Sequence, residues 1–374
     1  MASSYDVAIV GGGIVGAACA DACAAEELSV VVIEAGVVGG GATAAGMGHI
    51  VVMDDSPAQI ALTRYSRDLW MELAPGLAAD VEYVACGTMW VASDDEEMAE
   101  VERKRGVYDS IGVRAKTLDA RALAEAEPNL RGGLAGALLV LDDAVLYPPC
   151  AARFLIERAR KQGAALHTGT AAELSGEGVK LKDGTFVAAA AVVNATGASA
   201  PALDPGLEVR KRKGHLVITD RYPGFVRHQL VELGYLKSAH SISADSVAFN
   251  VQPRRTGQVL IGSSRQYGAD HPEVDGWMLS RMLRRAEEYM PGLPELSAIR
   301  VWTGFRAATP DKLPLIGPCP GNEGVWLATG HEGLGITTSL ATGRLLADQL
   351  LGRETAIPFE PYLPGRKVED HSHG

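Results

Sequence analysis

The sequence predicts an α/β protein: a parallel βαβ domain with a second, sheet-rich α+β domain inserted into it. Three observations lead there. A β-branched run, Tyr5 to Val10, is followed by Gly11-Gly12-Gly13-Ile14-Val15-Gly16, an Ala-rich helical stretch to about Glu27, and a second β-branched run, Ser29 to Ile33, closed by Glu34. A second glycine turn, Gly330 to Gly335, returns near the C-terminus between a strand-like and a helix-like run. Between these ends, over 81–144 and 206–309, the pattern changes to short strands with fewer helices. The 374 residues are 47% apolar and 22% charged, enough for a sizeable core, while 43 glycines against a usual ~7% direct attention to glycine-dependent loops.

Along the chain, Gly36 to Gly48 reads as a Gly/Ala-rich loop and Pro57 to Leu73 as a helix with Ile60, Leu62, Leu69 and Leu73 apolar. Short strands around Thr88 to Ala92, an acidic helix from Asp94 and a helix near Ala120 to Ala126 form the first inserted piece. Pro148 and Pro149 open a helix, Ala151 to Gln162, that Gly163 closes, with proline at the start and glycine at the end as helix termini favour. Leu166 to Leu174 and Gly178 to Ala188 read as strands around the turn Lys182-Asp183-Gly184-Thr185, and Val192 to Ala198 as a buried strand ending in Thr196-Gly197. Val247 to Gln252 and Gln258 to Gly262 read as strands, and Asp275 to Met290 as a long helix stopped by Pro291-Gly292. Gly324 to Thr329 is the last strand, Thr337 to Leu351 the last helix, and Pro361 to Gly374 a frayed tail. The resulting division is a discontinuous nucleotide-binding domain, 1–80, 145–205 and 310–374, and a second domain, 81–144 and 206–309.

The net charge of −11, from 35 basic and 46 acidic residues, and an aromatic content of 6% argue against a nucleic-acid groove. The basic run Arg210-Lys211-Arg212-Lys213 accordingly reads as a solvated strand face. Cys19, Cys23, Cys86, Cys150 and Cys319 form neither a CxxC pair nor a Cys/His ligand spacing, so they read as buried thiols of a reducing compartment, and no metal is expected. The N-terminus lacks a basic n-region and no run of ~18 uncharged apolar residues occurs. The expected location is the cytoplasm, with a peripheral membrane contact left open.

The opening glycines follow a strand, start a helix and are succeeded by an acid at the end of the next strand, which makes the unit Rossmann-like. Gly11 permits the tight turn, Gly13 lets a pyrophosphate approach the backbone N–H groups at the helix start, and Gly16 lets helix and strand pack closely. Glu34 accepts from ribose hydroxyls and repels a 2′-phosphate, leaving NAD or the ADP half of FAD. FAD is favoured by Gly39-Gly40-Gly41-Ala42-Thr43, a small-residue loop placed to continue along a pyrophosphate, and by Val193 to Ala198, which returns a strand to the same region. Gly330-His331-Glu332-Gly333-Leu334-Gly335-Ile336-Thr337 sets backbone donors at a helix start, where a reduced flavin would carry negative charge.

Together with Gly304-Phe305-Arg306 and Pro314-Leu315-Ile316-Gly317, these motifs resemble, over nearly the whole chain, the D-amino-acid oxidase superfamily in its glycine and sarcosine oxidase branch. Gly46 to Asp55 and the GHEGLG turn look more narrowly like D-hydroxyproline dehydrogenases and the flavoprotein subunits of opine and cyanide-forming dehydrogenases. The resemblance implies a GR2-type FAD-binding domain holding noncovalent FAD, covered by the sheet-rich substrate domain. The implied cofactor contacts are Gly11, Gly13, Ile14, Val15, Gly16, Glu34, Ala35, Gly41, Ala42, Thr43, Met47, Gly48, His49, Thr170, Ala171, Thr196, Gly197, Gly304, Arg306, Gly330, Gly333, Leu334, Gly335, Ile336 and Thr337.

It further implies oxidation of an amino or cyclic imino acid by hydride transfer from the α-carbon to flavin N5, best cis-4-hydroxy-D-proline or D-proline to a pyrroline carboxylate. The alternatives are a peroxide-forming glycine or sarcosine oxidase and a flavoprotein subunit of a multisubunit opine or cyanide-forming dehydrogenase. The electron acceptor would be oxygen, a quinone or a partner subunit, in a homo- or hetero-oligomer. Arg306 takes the position of an arginine clamping the substrate carboxylate. Asn250 stands where glycine oxidases use a tyrosine, and Glu332 or Gly333 replaces a second arginine, so substrate specificity does not carry over directly. Glu332 either holds the substrate amine or a ring hydroxyl or serves as a surface or flavin-supporting carboxylate. His49 either donates to flavin, orients substrate or is structural, and His215 and Tyr235 are candidates to face the pocket.

Overall fold

The computed structural model describes residues 4–234 and 245–366. Five strands run parallel in the order Val325–Thr329, Phe186–Asn194, Tyr5–Val10, Val30–Glu34 and Ala165–Thr168, with Leu315–Pro318 antiparallel at the first edge. The central strands are apolar on both faces because both are covered. Val7 and Ile9 pack among the helices Ile14–Ala25, Pro148–Lys161 and Gly335–Leu350, while Ala8 and Val10 face the cluster formed with the hairpin Ala171–Ser175/Gly178–Leu181.

The second sheet has the order Ala298–Ala308, Arg210–Arg221, Gln258–Arg265, Ser246–Pro253, Gln229–Glu232, Thr88–Ala92, Gly136–Val140 and Ala115–Asp119. All neighbours are antiparallel except Gln229–Glu232 and Thr88–Ala92, which run parallel. Period-two alternation divides its faces. Phe249 and Val251 pack under the helix Gly276–Tyr289, where the rings of Phe249 and Tyr289 stack 4.5 Å apart; their neighbours Asn250 and Gln252 take the other face. The two-stranded pair His49–Ile50 and Ala144–Val145 completes the strand pairing.

Helix starts follow capping chemistry: Ser56, Asp94 and Asp119 accept hydrogen bonds from the N–H groups of Gln59, Glu97 and Ala122. The loop Gly36 to Gly48 contains a helical turn, Gly41–Ala45. Expected strands regroup as well. Leu166 to Leu174 is broken at Gly169-Thr170, where Gly169 N–H bonds Glu34 O and Lys182 N–H bonds Thr170 O, and the second hairpin arm runs on as the central strand Phe186–Asn194.

Three further expectations are corrected. Arg212 and Lys213 are buried rather than solvated, because distant carboxylates, Glu332 and Asp275, meet them. Cys86 is partly exposed, unlike the other four thiols. The stretch 361–366 is anchored, not frayed: Tyr362 is buried with its hydroxyl on Ala58 O, and Arg366 bonds Asp311. Tyr235 lies outside the described residues. Among the described residues, no helix is long and apolar enough to cross a membrane.

Candidate active site

The strands Tyr5–Val10, Val30–Glu34 and Phe186–Asn194 deliver their carboxyl ends to one crevice, the location where parallel α/β sheets bind ligands. Gly11 turns there with φ +109°, and a Cβ on Gly16 would stand 1.9 Å from Gly11 O, so only glycine lets the helix Ile14–Ala25 start so close to the turn. Thr43 closes the turn from the neighbouring loop by accepting Ile14 N–H at 2.9 Å. Glu34 is held by two backbone donors, Gly12 N–H at 2.6 Å and Gly36 N–H at 2.7 Å.

From this crevice a continuous cavity of about 1090 Å³ runs between the sheets. Glu34, Ala35, Thr170, Ala171 and Lys182 line one end; Gly11, Gly13, Gly41, Thr43 and Thr196 line its waist; Met47, His49, Arg306 and Leu334 to Ile336 line the part beneath the second sheet. Two helix starts therefore open onto it, at Ile14 and Gly335, each with backbone donors left over from the first turn. An elongated diphosphate-bearing cofactor fits this donor set: a fixed carboxylate at the nucleoside end, a glycine-walled waist, and a second helix start at the far end.

Of the expected cofactor contacts, Ile14, Val15, Ala42, Gly197, Gly304 and Gly333 also border the cavity. Gly16, Gly48, Gly330 and Thr337 do not border it; they stand behind its wall. Added Cβ atoms at Gly48 and Gly330 would meet Leu146 O at 1.9 Å and Thr309 Cγ2 at 2.6 Å, which makes them packing glycines, and Thr337 Oγ1 donates to His49 O at 2.8 Å.

Arg306 enters from the strand Ala298–Ala308, opposite Arg212 in register, and its Nη1 donates to Ser264 O at 2.9 Å. The guanidinium packs against Gly214, and its Nε lies beside Gly333. His49 borders the same space. Burial holds its imidazole down at about 4, with Gln229 beside it acting upward and the Arg306 charge downward, so the ring is neutral; its Nδ1 is buried without a hydrogen-bond partner.

His215 borders the cavity with both ring nitrogens engaged, Nδ1 with Ser264 Oγ at 3.0 Å and Nε2 accepting Asp275 N–H at 3.1 Å. Burial and the Lys213 charge depress its pKa. Glu332 sits in a left-handed conformation, φ +53°, that brings its carboxylate onto Arg212. Asn250 lies in the second-sheet wall. The sequence reading missed Trp90, Gln229, Arg212, Arg265 and Lys312 in the lining. For the first four the only sequence signal was alternation in strands whose pairing the chain order does not reveal, while Lys312 sits in a turn between two strands.

A dinucleotide-length cavity between a parallel sheet and a covering antiparallel sheet, with an arginine at its far end, defines a nucleotide-cofactor oxidoreductase. The chain belongs to the DAO family of FAD dependent oxidoreductases, whose model matches residues 6–349. FAD is thus its cofactor, supplying two-electron redox chemistry that the side chains lack. The glycine oxidase of Geobacillus kaustophilus is 31% identical, with 98% of each chain covered. Its crystal structure superposes with a TM-score of 0.86 at 28% identity, covering 98% of this chain and 100% of that one. The hydrogen cyanide synthase subunit HcnC of Pseudomonas protegens is 29% identical, covering 98% of this chain and 97% of the relative. An L-proline dehydrogenase structure from P. horikoshii shares the fold, with a TM-score of 0.85 at 22% identity, covering 97% of this chain and 98% of that chain.

Proposed function

We propose that this protein oxidises the α C–N bond of a small amino or cyclic imino acid, with cis-4-hydroxy-D-proline or D-proline, giving a pyrroline carboxylate, as the best candidates. The observation that carries the reading is Arg306, a guanidinium presented to the cavity between Gly214 and the Gly333 turn. A planar fork of donors suits a carboxylate better than a point charge would. Holding the carboxylate there orients the α-carbon toward the space bordered by Met47 and Leu334, and positioning of this kind supplies much of the rate. When bound, FAD accepts the hydride that leaves the α-carbon. Neutral His49 accepts a hydrogen bond from the substrate nitrogen without adding charge to the arginine-lined pocket. The relatives acting on glycine support an amine substrate.

A second reading, a glycine or sarcosine oxidase forming peroxide, is favoured by the glycine oxidase relatives. A third, a flavoprotein subunit working with partners, is favoured by the likeness to HcnC. Anaerobic mixing with D-hydroxyproline, D-proline, sarcosine and glycine, followed at the visible flavin band, tests the reaction. Bleaching by a cyclic substrate first is expected; no bleaching with any of the four rejects amine oxidation. Peroxide released at the turnover rate in air would favour the oxidase reading, and copurifying chains the subunit one.

A further inference from the structure

The sheet that carries Arg306 on its edge strand also carries a polar row along the cavity, three to five strands away. Trp90 pairs in register with Val231, and Val231 with Asn250, so the three stand side by side on adjacent strands. Gln229, two residues before Val231, shares their face. All four border the cavity. Trp90 and Asn250 are only 2% and 8% exposed, yet Trp90 Nε1 and Asn250 Oδ1 are buried without hydrogen-bond partners, while the Gln229 side chain, 3% exposed, interacts with His49. Such groups each cost free energy unless something pairs with them.

Two neighbouring polar side chains already have a partner each. Gln252, on the same face, donates to Met47 O, and Glu332 is tied to Arg212. Trp90 is fixed from behind by the buried ammonium of Lys104, 4.7 Å from the ring centroid and itself paired with Asp54.

We propose that Trp90 and Asn250 form a neutral specificity subsite that reads a hydroxyl on the substrate, at the end away from the carboxylate. The inference rests on the amine-oxidation reading and deepens it by naming the substrate class: hydroxylated cyclic imino acids. A hydroxyl both accepts and donates, and the row offers one indole N–H to give and one amide carbonyl, Asn250 Oδ1, to receive. A charged substituent matches it poorly, since the wall presents no opposite charge at that row. A substrate lacking the hydroxyl leaves the same atoms unpaired, so discrimination arises from the penalty as much as from the contact.

The experiment compares kcat/KM of the holoenzyme for cis-4-hydroxy-D-proline and D-proline, and measures binding of pyrrole-2-carboxylate with and without a 4-hydroxyl, neither of which has an oxidisable α C–H. The expected result is a preference of at least about tenfold for the hydroxylated member in both measurements. Trp90→Phe and Asn250→Leu should each shrink that ratio severalfold while the purified proteins stay yellow. Equal use of both imino acids by the wild-type enzyme, or ratios unmoved in the two variants, overturns the subsite and leaves amine oxidation standing. Failure of every amine to bleach the flavin overturns the parent reading and this one together.

Discussion

The guanidinium of Arg306 rests against the α-carbon of Gly214: a methyl group at Gly214 would stand 2.6 Å from Nη1 and 3.0 Å from Nη2. Gly214 and Gly304 pair in register two residues along from Arg212 and Arg306; Gly214 makes room for the arginine, whereas a Cβ on Gly304 would stand 2.3 Å from Ala45 Cβ. The strand Arg210–Arg221 is thus the surface that sets where the guanidinium points.

Gly214→Ala should therefore move the clamp without dismantling the fold, because the clashing atoms are the mobile end of a side chain. The expected outcome is a KM for the substrate raised about tenfold with flavin content unchanged, since a displacement near 1 Å at a positioning group costs rate steeply. Arg306→Ala, which removes the charge-assisted pair altogether, should lower kcat/KM by ~10- to 150-fold and likewise keep the flavin. Steady-state kinetics alongside the flavin absorbance per mole of protein check both; a colourless Arg306→Ala protein would count against the clamp.

How much of this was legible in the sequence depends on range along the chain. Gly11 to Gly16 and Glu34 are read easily because strand, turn, helix and acid are consecutive, and their contacts are mostly local. Arg306 was reached through resemblance alone; nothing in its own strand distinguishes it from Arg300, which is also on it. Trp90 and Gln229 escaped because the strand Thr88–Ala92 is wholly buried and looks like ordinary core, while its parallel partner lies far along the chain. Arg212 and Lys213 misled for the same reason: the run looks solvated until Glu332 and Asp275 are folded onto it. Local pattern reports periodicity and turns, whereas the walls of a pocket are made by pairings across the fold.

The helices Ile14–Ala25 and Gly335–Leu350 approach backbone to backbone at Gly343, where an added Cβ would lie 2.4 Å from Ala18 O and 2.7 Å from Ala18 C. Backbone cannot step aside as a side-chain end can. Gly343→Ala should force the helices apart at a cost of about 1–3 kcal/mol. Because the starts of both helices open onto the cofactor cavity, the variant should show a lower Tm and also release flavin more readily. Thermal melts and flavin retention on gel filtration test this, and an unchanged Tm would mean that the helices re-seat freely.

His331 gives the stability a dependence on pH with a definite sign. Its Nε2 lies 2.9 Å from Thr342 Oγ1, and the single hydroxyl proton of Thr342 is already donated to Thr338 O at 2.9 Å. Nε2 must therefore be the donor, and burial pushes the pKa of the ring down to about 3, which keeps it neutral. An unfolded histidine titrates near 6.5, so between about 6.5 and 3 the unfolded chain binds a proton that the folded one refuses. Stability from this group is intact above that window and is lost as pH falls through it, amounting to about 2 kcal/mol between pH 7.5 and 5. His331→Gln keeps a donor for Thr342 but does not titrate. The drop in Tm of the holoenzyme between those two pH values should be larger for the wild type than for His331→Gln, and equal drops would show that the imidazole is protonated in the fold.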